Sequence, residues 1–320
     1  MKVLTALAAL MLVATADYHL LTKFPIPGDG GWDYLTVDTA ARRIYVSHGT
    51  RVDVLDEDKG TVIGAISDTA GVHGIALAPQ FNRGFASCGQ TNEVVMFDLK
   101  TLKNLARIPV GKKPDAIIYD PATKSVIVNN GDSNNSTIIS AAEGKVTGTL
   151  DLGGAPEFAA ADGKGKVFIN LEDKGETVKI DPIALKVEAR WSLKPCDTPT
   201  SMAIDTATHR LFIGGRNKMM AVVDTDTGKV VTTMPIGDKV DVAAFEIVTK
   251  LIFFSNGDGT VNNFREYAPD RYTAVTTLMT EPGAKTMALD PTTHRIFLSA
   301  AEKDGKANKP GSFHVLVYGN

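Results

Sequence analysis

The chain repeats itself seven times. The segments LTVDTAARRIYVS, IALAPQFNRGFAS, IIYDPATKSVIVN, AAADGKGKVFIN, MAIDTATHRLFIG, AAFEIVTKLIFFS and MALDPTTHRIFLS share one plan: an apolar run, a turn opened by an acidic or Pro-marked residue, a basic residue, and a second apolar run. The turn openers are Asp38, Ala78, Asp120, Asp162, Asp205, Glu246 and Asp290, separated by 40, 42, 42, 43, 41 and 44 positions. A period of roughly 40–45 residues is that of propeller blades, each cut from four short strands. A third run closing on Asp56, Asp98, Asp181 or Asp224, followed by a turn and a fourth run, supplies the remaining strands. Two residues before the turn openers, five of the seven positions are Ala, which suits the crowded taper around a central axis.

The seventh unit stops after its third run, SFHVLVY, near Asn320. The segment Tyr18 to Ile26 (YHLLTKFPI) reads like the fourth-strand segments RIPVG and TMPIG. It is expected to pair with the last blade and remove the open sheet edges. The expected fold is therefore all-β, a seven-bladed propeller of four-stranded blades closed by the N-terminal strand. Twenty-nine Gly and 15 Pro, scattered along the chain, mark many turns, and no helix of useful length is signalled.

With 43% apolar and 22% charged residues in 320, the chain can bury a sizeable core, and disorder is excluded as its main state. Thirty-four Lys and Arg against 37 Asp and Glu give a net charge of -3 and no whole-molecule pull toward nucleic acid or acidic membranes. Any charge-driven function must be local. Lys2, the apolar run Val3 to Val13 and Ala14-Thr15-Ala16 read as a cleaved secretory signal over residues 1–16. One domain is expected over 17–320, with no membrane span and a secreted or periplasmic location. An oxidising compartment permits a disulfide, but Cys88 and Cys196 fall in different blades, which argues against pairing.

The passages VNNGDSNNSTII, FSNGDGTVNNF and IGGRNKMMAVVD, with turns such as DTDTGKVV, resemble the YncE/YVTN-repeat family of secreted or periplasmic seven-bladed propellers. The resemblance covers the chain after residue 16. Ser140 and Glu266 depart from it, standing where the third strand usually ends in Asp. Such motifs are specific to a fold and name no reaction.

Because blades are equivalent, equivalent positions form rings. Five residues before the turn openers stand Asp33, His73, Asp115, Glu157, Thr200, Asp241 and Lys285, expected at one tunnel mouth. Clustered carboxylates raise one another's pKa or recruit a cation, and oxygen ligands with one imidazole suit a hard or borderline divalent ion. One divalent metal on Asp33, His73, Asp115, Glu157 and Asp241 is therefore the candidate cofactor. The competing explanation is a hydrated polar mouth with no ligand. Loops on the same face add His48, Asn130, Asp132, Glu172, Asp173, Arg216, Asn256, Asp258 and Glu302, and of the ring and loop residues Asp33, Glu157, Asn130, Asp132, Glu172 and Asn256 are the candidate ligand-binding residues. The opposite face carries Arg42, Asn82, Lys124, Lys166, His209, Lys250 and His294 and is expected to be basic.

There is no HExxH, CxxC, CxxCH, GxSxG or phosphate-loop motif, and only Trp32 and Trp191 are present. No haem, quinone or nucleotide cofactor is expected. Three functions remain. The first is a monomeric binding module whose mouth takes a metal, a small molecule or a protein. The second is a divalent-metal lactonase-type hydrolase or lyase, with His73 or His48 as base and Arg216 and Lys285 orienting a substrate carboxylate. The third and weakest is polyanion binding on the basic face. The absence of aromatic residues among those basic positions argues against nucleic acid as a partner.

Overall fold

A computed structural model describes residues 18–29 and 31–320. The expected leader over 1–16 lies outside these residues. The described chain forms seven four-stranded antiparallel sheets arranged as blades. Six blades are built from consecutive strands. In the seventh, the N-terminal strand His19–Pro25 lies outermost, against Ala307–Gly319, which pairs with Arg295–Asp304 and then Met287–Asp290. The seam runs from His19 opposite Gly319 to Pro25 opposite His314. Phe24 of that strand is buried, and its ring fills the space above Gly60 of blade 1, where a Cβ would lie 1.9 Å from it. The N-terminal segment thus joins the last blade by hydrogen bonds and the first by packing. Among the described residues, helix is confined to two three-residue 3-10 turns, and no helix is long and apolar enough to cross a membrane.

Blade geometry follows from local chemistry. The innermost strands end at or beside the turn openers, as in Val72–Ala78, Pro199–Asp205 and Val240–Glu246. The Asp that closes a third strand caps the following turn: Asp56, Asp98, Asp181 and Asp224 each accept bonds from the backbone N–H groups two and three residues later. A carboxylate on a short stem offers the turn acceptors that its own carbonyls cannot reach. Between blades lie fully buried aromatics, among them Phe85, Phe97, Phe168, Phe212 and Phe297, so each sheet buries both faces. The hairpin of the last blade is longer than the repeat predicts, reaching Lys303 opposite Asn308, because polar residues extend both strands beyond the sheet. Cys88 and Cys196 are buried free thiols, pushed up to about 11 and about 12 by burial.

The face opposite the mouth is charged, and most of its basic side chains are paired. Arg42, Asn82, Lys124, His209, Lys250 and His294 all adopt left-handed φ between 53° and 59°, which places them at the turn between first and second strands. Their partners are close: Arg42 reaches Glu57, Asp58 and Asp290 at 2.8, 2.5 and 2.8 Å, and Lys250 reaches Asp205 at 2.9 Å. His209 lies 2.8 Å from Asp226, and Lys166 bridges Asp181 and Glu188. Arg42, Lys166, His209, Lys250 and His294 of the ring inferred from the repeat thus each have a carboxylate beside them, whereas Lys124 has none within salt-bridge distance among the described residues.

Across the seam, Glu57 of blade 1 is fully buried beside Asp290 of blade 7. Burial, reinforced by Asp290, pushes the Glu57 carboxyl up to about 8, while hydrogen bonds hold Asp290 well below the carboxylate range. A folded pKa above the unfolded one means that the native state holds the proton more tightly, so this contribution is present at low pH and is lost as pH rises toward 8. We expect the wild-type melting temperature to fall between about pH 5 and pH 9, and Glu57→Gln to flatten the decline and melt a few degrees higher at pH 9, where about 2–4 °C corresponds to 1 kcal/mol. Calorimetric scans across that range check it, and parallel profiles would show that Glu57 is not the titrating group.

Candidate functional site

Four of the seven ring residues, Asp33, Asp115, Glu157 and Lys285, are held at the backbone by a side chain from a neighbouring strand. Ser87 Oγ donates to the Asp115 carbonyl at 2.5 Å, Asn129 Nδ2 to that of Glu157 at 2.5 Å, and Ser255 Oγ to that of Lys285 at 2.5 Å. Each of these reaches from one blade to the next. Ser47 Oγ accepts from the Asp33 N–H within blade 1 at 2.7 Å. Thr200, the ring member of blade 5, turns its hydroxyl to the Val240 carbonyl at 2.7 Å and is buried. These Ser, Asn and Thr residues are buried and hydrogen-bonded, so the backbone that carries the mouth is held without mobile loops.

The ring then separates into three groups. His73 Nδ1 lies 2.7 Å from Asp33 Oδ2 and 3.8 Å from Asp115 Oδ1, and one donor atom from each of the three residues falls within a sphere of contact, all within 4.8 Å of one another. The hydrogen bond to Asp33 raises the His73 pKa against the effect of burial, and burial raises that of Asp115 despite His73. Asp115 Oδ1 is buried without a hydrogen-bond partner. On the other side of Asp33, Lys285 Nζ of blade 7 pairs with Asp241 Oδ2 of blade 6 at 2.9 Å. Burial pushes Asp241 up to about 6, with Lys285 opposing, and the Lys285 ammonium is stabilised by Asp241 and Asp33 beyond its own burial cost. Glu157 stands apart from both groups beside Glu172, and burial with the charge of Asp115 pushes it up to about 9. Both effects favour its neutral acid form.

Below these groups two rings meet across the tunnel. Tyr34 of blade 1 meets Phe158 of blade 4 edge to face, with ring centroids 5.6 Å apart. Both rings line an apolar cavity of about 70 Å³ together with Ile75, Ile117 and Met287. Burial and the surrounding Asp115, Asp241, Asp33 and Glu157 push the Tyr34 phenol well above its ordinary range. The mouth is thus a cup with a polar wall and an aromatic floor. Neither ring was among the residues expected from the repeat, because a contact between blades 1 and 4 depends on the diameter of the closed ring.

Of the loop residues expected at the mouth, Glu172 joins Glu157, and the exposed Arg216 adds a positive field at Lys285. Asp132 is exposed in the turn Gly131–Ser133. The others are not brought into the cup. His48 is buried, with Nδ1 2.6 Å from Asp53 and its ring 4.7 Å from that of Phe313. Asn130 donates to Asn135 and Thr137, and Asn256 to Thr260 and Asn262, so both brace their own loops. Their spacing in the repeat matched that of mouth residues, but a side chain at the end of a second strand turns between blades.

No protein-family model matches the chain, and no curated protein matches it in sequence. Solved structures match it in shape. A chain in the crystal structure of the mitotic checkpoint complex aligns with a TM-score of 0.80 at 14% identity, covering 100% of this chain and 97% of that one. The structure of U3-55K aligns with a TM-score of 0.79 at 9% identity, covering 94% and 98%. The chain is a seven-bladed β-propeller. At these identities the likeness carries the fold alone.

The pairing of Asp241 with Lys285 yields a direct test. Lys285→Met removes the ammonium 2.9 Å away and leaves burial unopposed, so the Asp241 titration should move upward from about 6 by roughly one unit or more. Carboxyl carbon NMR through the titration reads the shift, and an unmoved midpoint would mean that Lys285 does not set the Asp241 charge.

Proposed function

We propose that the cup is a divalent-cation site and that the propeller is a ligand-binding module working through it. The single observation that carries this is the group formed by Asp33, His73 and Asp115. Two carboxylate oxygens and an imidazole nitrogen are a donor set for a hard or borderline ion. Bonds of about 2.0–2.3 Å at near right angles put ligand atoms roughly 3 Å apart, and the separations of 2.7 and 3.8 Å bracket that value. The unpartnered Asp115 Oδ1 is supplied with a partner when an ion sits there. Three protein donors leave positions that open into the cup for a ligand.

The wider candidate set is narrowed. Asp241 is neutralised by Lys285 and Glu157 by its own proton, which leaves the triad as the cation-seeking part of the ring. The YVTN-repeat resemblance and the expected leader belong to the same proposal: a secreted or periplasmic module with no haem, quinone or nucleotide.

A second function is favoured by one feature. Glu157, favoured in its neutral acid form, stands at the same mouth and is a ready proton donor, which a metal-assisted lactone hydrolase or lyase requires. In that scheme Arg216 and Lys285 bind the substrate carboxylate. Turnover of a lactone panel, lost in Glu157→Gln with metal binding retained, distinguishes it from the binding module.

The primary test is metal content. After dialysis against Mn²⁺ or Zn²⁺ and removal of excess, about one equivalent should stay with the protein, and His73→Ala and Asp115→Ala should each weaken binding by about 10–100-fold, read by calorimetry and elemental analysis. Equal metal content in the variants would defeat the assignment.

A further inference from the structure

His73 faces two ways. Its Nδ1 lies among the carboxylates, whereas its Nε2 borders Gly89, where a Cβ would fall 2.8 Å from Nε2 and 2.9 Å from Cδ2. Any side chain at 89 would displace the imidazole. The space left open belongs to a cleft of about 480 Å³ among loops of blades 1 and 2 and the loop entering blade 3, which opens off the cup where Asp33 and His73 line both. That volume is in the range of small-molecule sites, which combine an apolar wall with a few convergent polar groups.

The walls have distinct chemistry. Trp32 supplies an indole, stacked on Phe313 of the long last hairpin with centroids 5.0 Å apart and an interplanar angle of 18°. That stack fixes the ring in one orientation. Gln90 supplies an amide, Gly71 and Gly89 bare backbone, and Lys113 an ammonium. The Lys113 charge is felt by both His73 and Asp115. Unlike Lys285, Lys113 has no carboxylate within salt-bridge distance among the described residues. The Asp33 carboxylate also lines the cleft but is turned to His73 Nδ1 at 2.7 Å, so the indole, the outer imidazole nitrogen and an ammonium without a salt-bridge partner are left to meet a ligand with a ring and a negative charge.

We infer that this cleft binds a small ring-bearing organic anion, its ring against Trp32 and its carboxylate on Lys113 and His73 Nε2. The inference rests on the cation-site reading only for the hydrogen on Nε2, since an ion on Nδ1 leaves that hydrogen on the outer nitrogen. Lys113 and Trp32 act with or without the metal. An ion on the triad and an anion in the cleft would then be bound through opposite edges of one imidazole, and each should strengthen the other.

The test uses the full chain and named probes. Calorimetric titration with benzoate and indole-3-acetate, beside the neutral benzamide and indole-3-acetamide, is run in chelator and again with Mn²⁺. The acids should bind saturably in both conditions and more tightly with Mn²⁺, and the amides at least about ten-fold more weakly. Lys113→Met should weaken acid binding by about ten-fold, whereas the adjacent Lys112→Met should not. Gly89→Ala should abolish it while leaving the melting temperature close to wild type, because the clash is with a side chain rather than with backbone. Acid binding in chelator that is lost in Lys113→Met upholds the cleft even when the protein retains no Mn²⁺. Retained Mn²⁺ with no saturable binding of either acid, or acid affinity unchanged in Lys113→Met, overturns the cleft and leaves the cation site standing.

Discussion

Seven sheets around an axis have one weak place, where the ends of the chain meet. Here the seam is carried by hydrogen bonds between His19–Pro25 and Ala307–Gly319, by Phe24 on Gly60, and by the Arg42, Glu57 and Asp290 cluster that spans blades 1 and 7. Because the first strand completes the last blade, the blades cannot splay without breaking a strand ladder. The diameter at the axis is fixed as a result. That diameter decides whether Tyr34 and Phe158 can meet across the tunnel, and so whether there is a cup at all.

Gathering Asp33, Asp115, Glu157 and Asp241 around one opening is electrostatically costly, since like charges in a partly buried site raise one another's pKa. The mouth relieves the repulsion in three ways. Asp241 takes an ammonium, Glu157 keeps its proton, and Asp33 with Asp115 shares a single imidazole. The third arrangement is the least complete, because one His serves two carboxylates and Asp115 Oδ1 stays unpartnered. Incomplete compensation is what an added cation would finish, and it gives this third of the ring a different standing from the rest.

Much of the architecture was legible because a blade must recur. The turn openers Asp38 through Asp290, the Asp caps at 56, 98, 181 and 224, and the completion of the last blade by Tyr18–Ile26 all follow from one period. The mouth ring was legible for the same reason, but its division into pairs was not. Nothing in a period says that Thr200 turns into the wall or that Glu172 reaches Glu157. His48, Asn130 and Asn256 show the converse error, since repeat position gave their height in the blade and not the direction of the side chain. Ser87, Asn129 and Ser255 passed as ordinary strand residues, although small polar residues buried in otherwise apolar second strands are a visible anomaly.

Ring order supplies a rule that the repeat alone lacked. The salt bridges among the ring positions join consecutive blades: Asp33 to His73, His73 to Asp115, and Asp241 to Lys285. The innermost strands are close enough at the axis for residues of equal register on neighbouring blades to touch, whereas contact between blades 1 and 4 takes two large rings, Tyr34 and Phe158. A ring read in order as Asp, His, Asp, Glu, Thr, Asp, Lys therefore already contains a carboxylate-imidazole-carboxylate run and a carboxylate-ammonium pair, with Glu157 left between Asp115 and the inward-turned Thr200. The fold makes the seven backbones equivalent, so any chemistry must come from where the seven side chains differ. In this chain the difference is concentrated on blades 1 to 3, and the glycine-lined cleft opens beside the same imidazole.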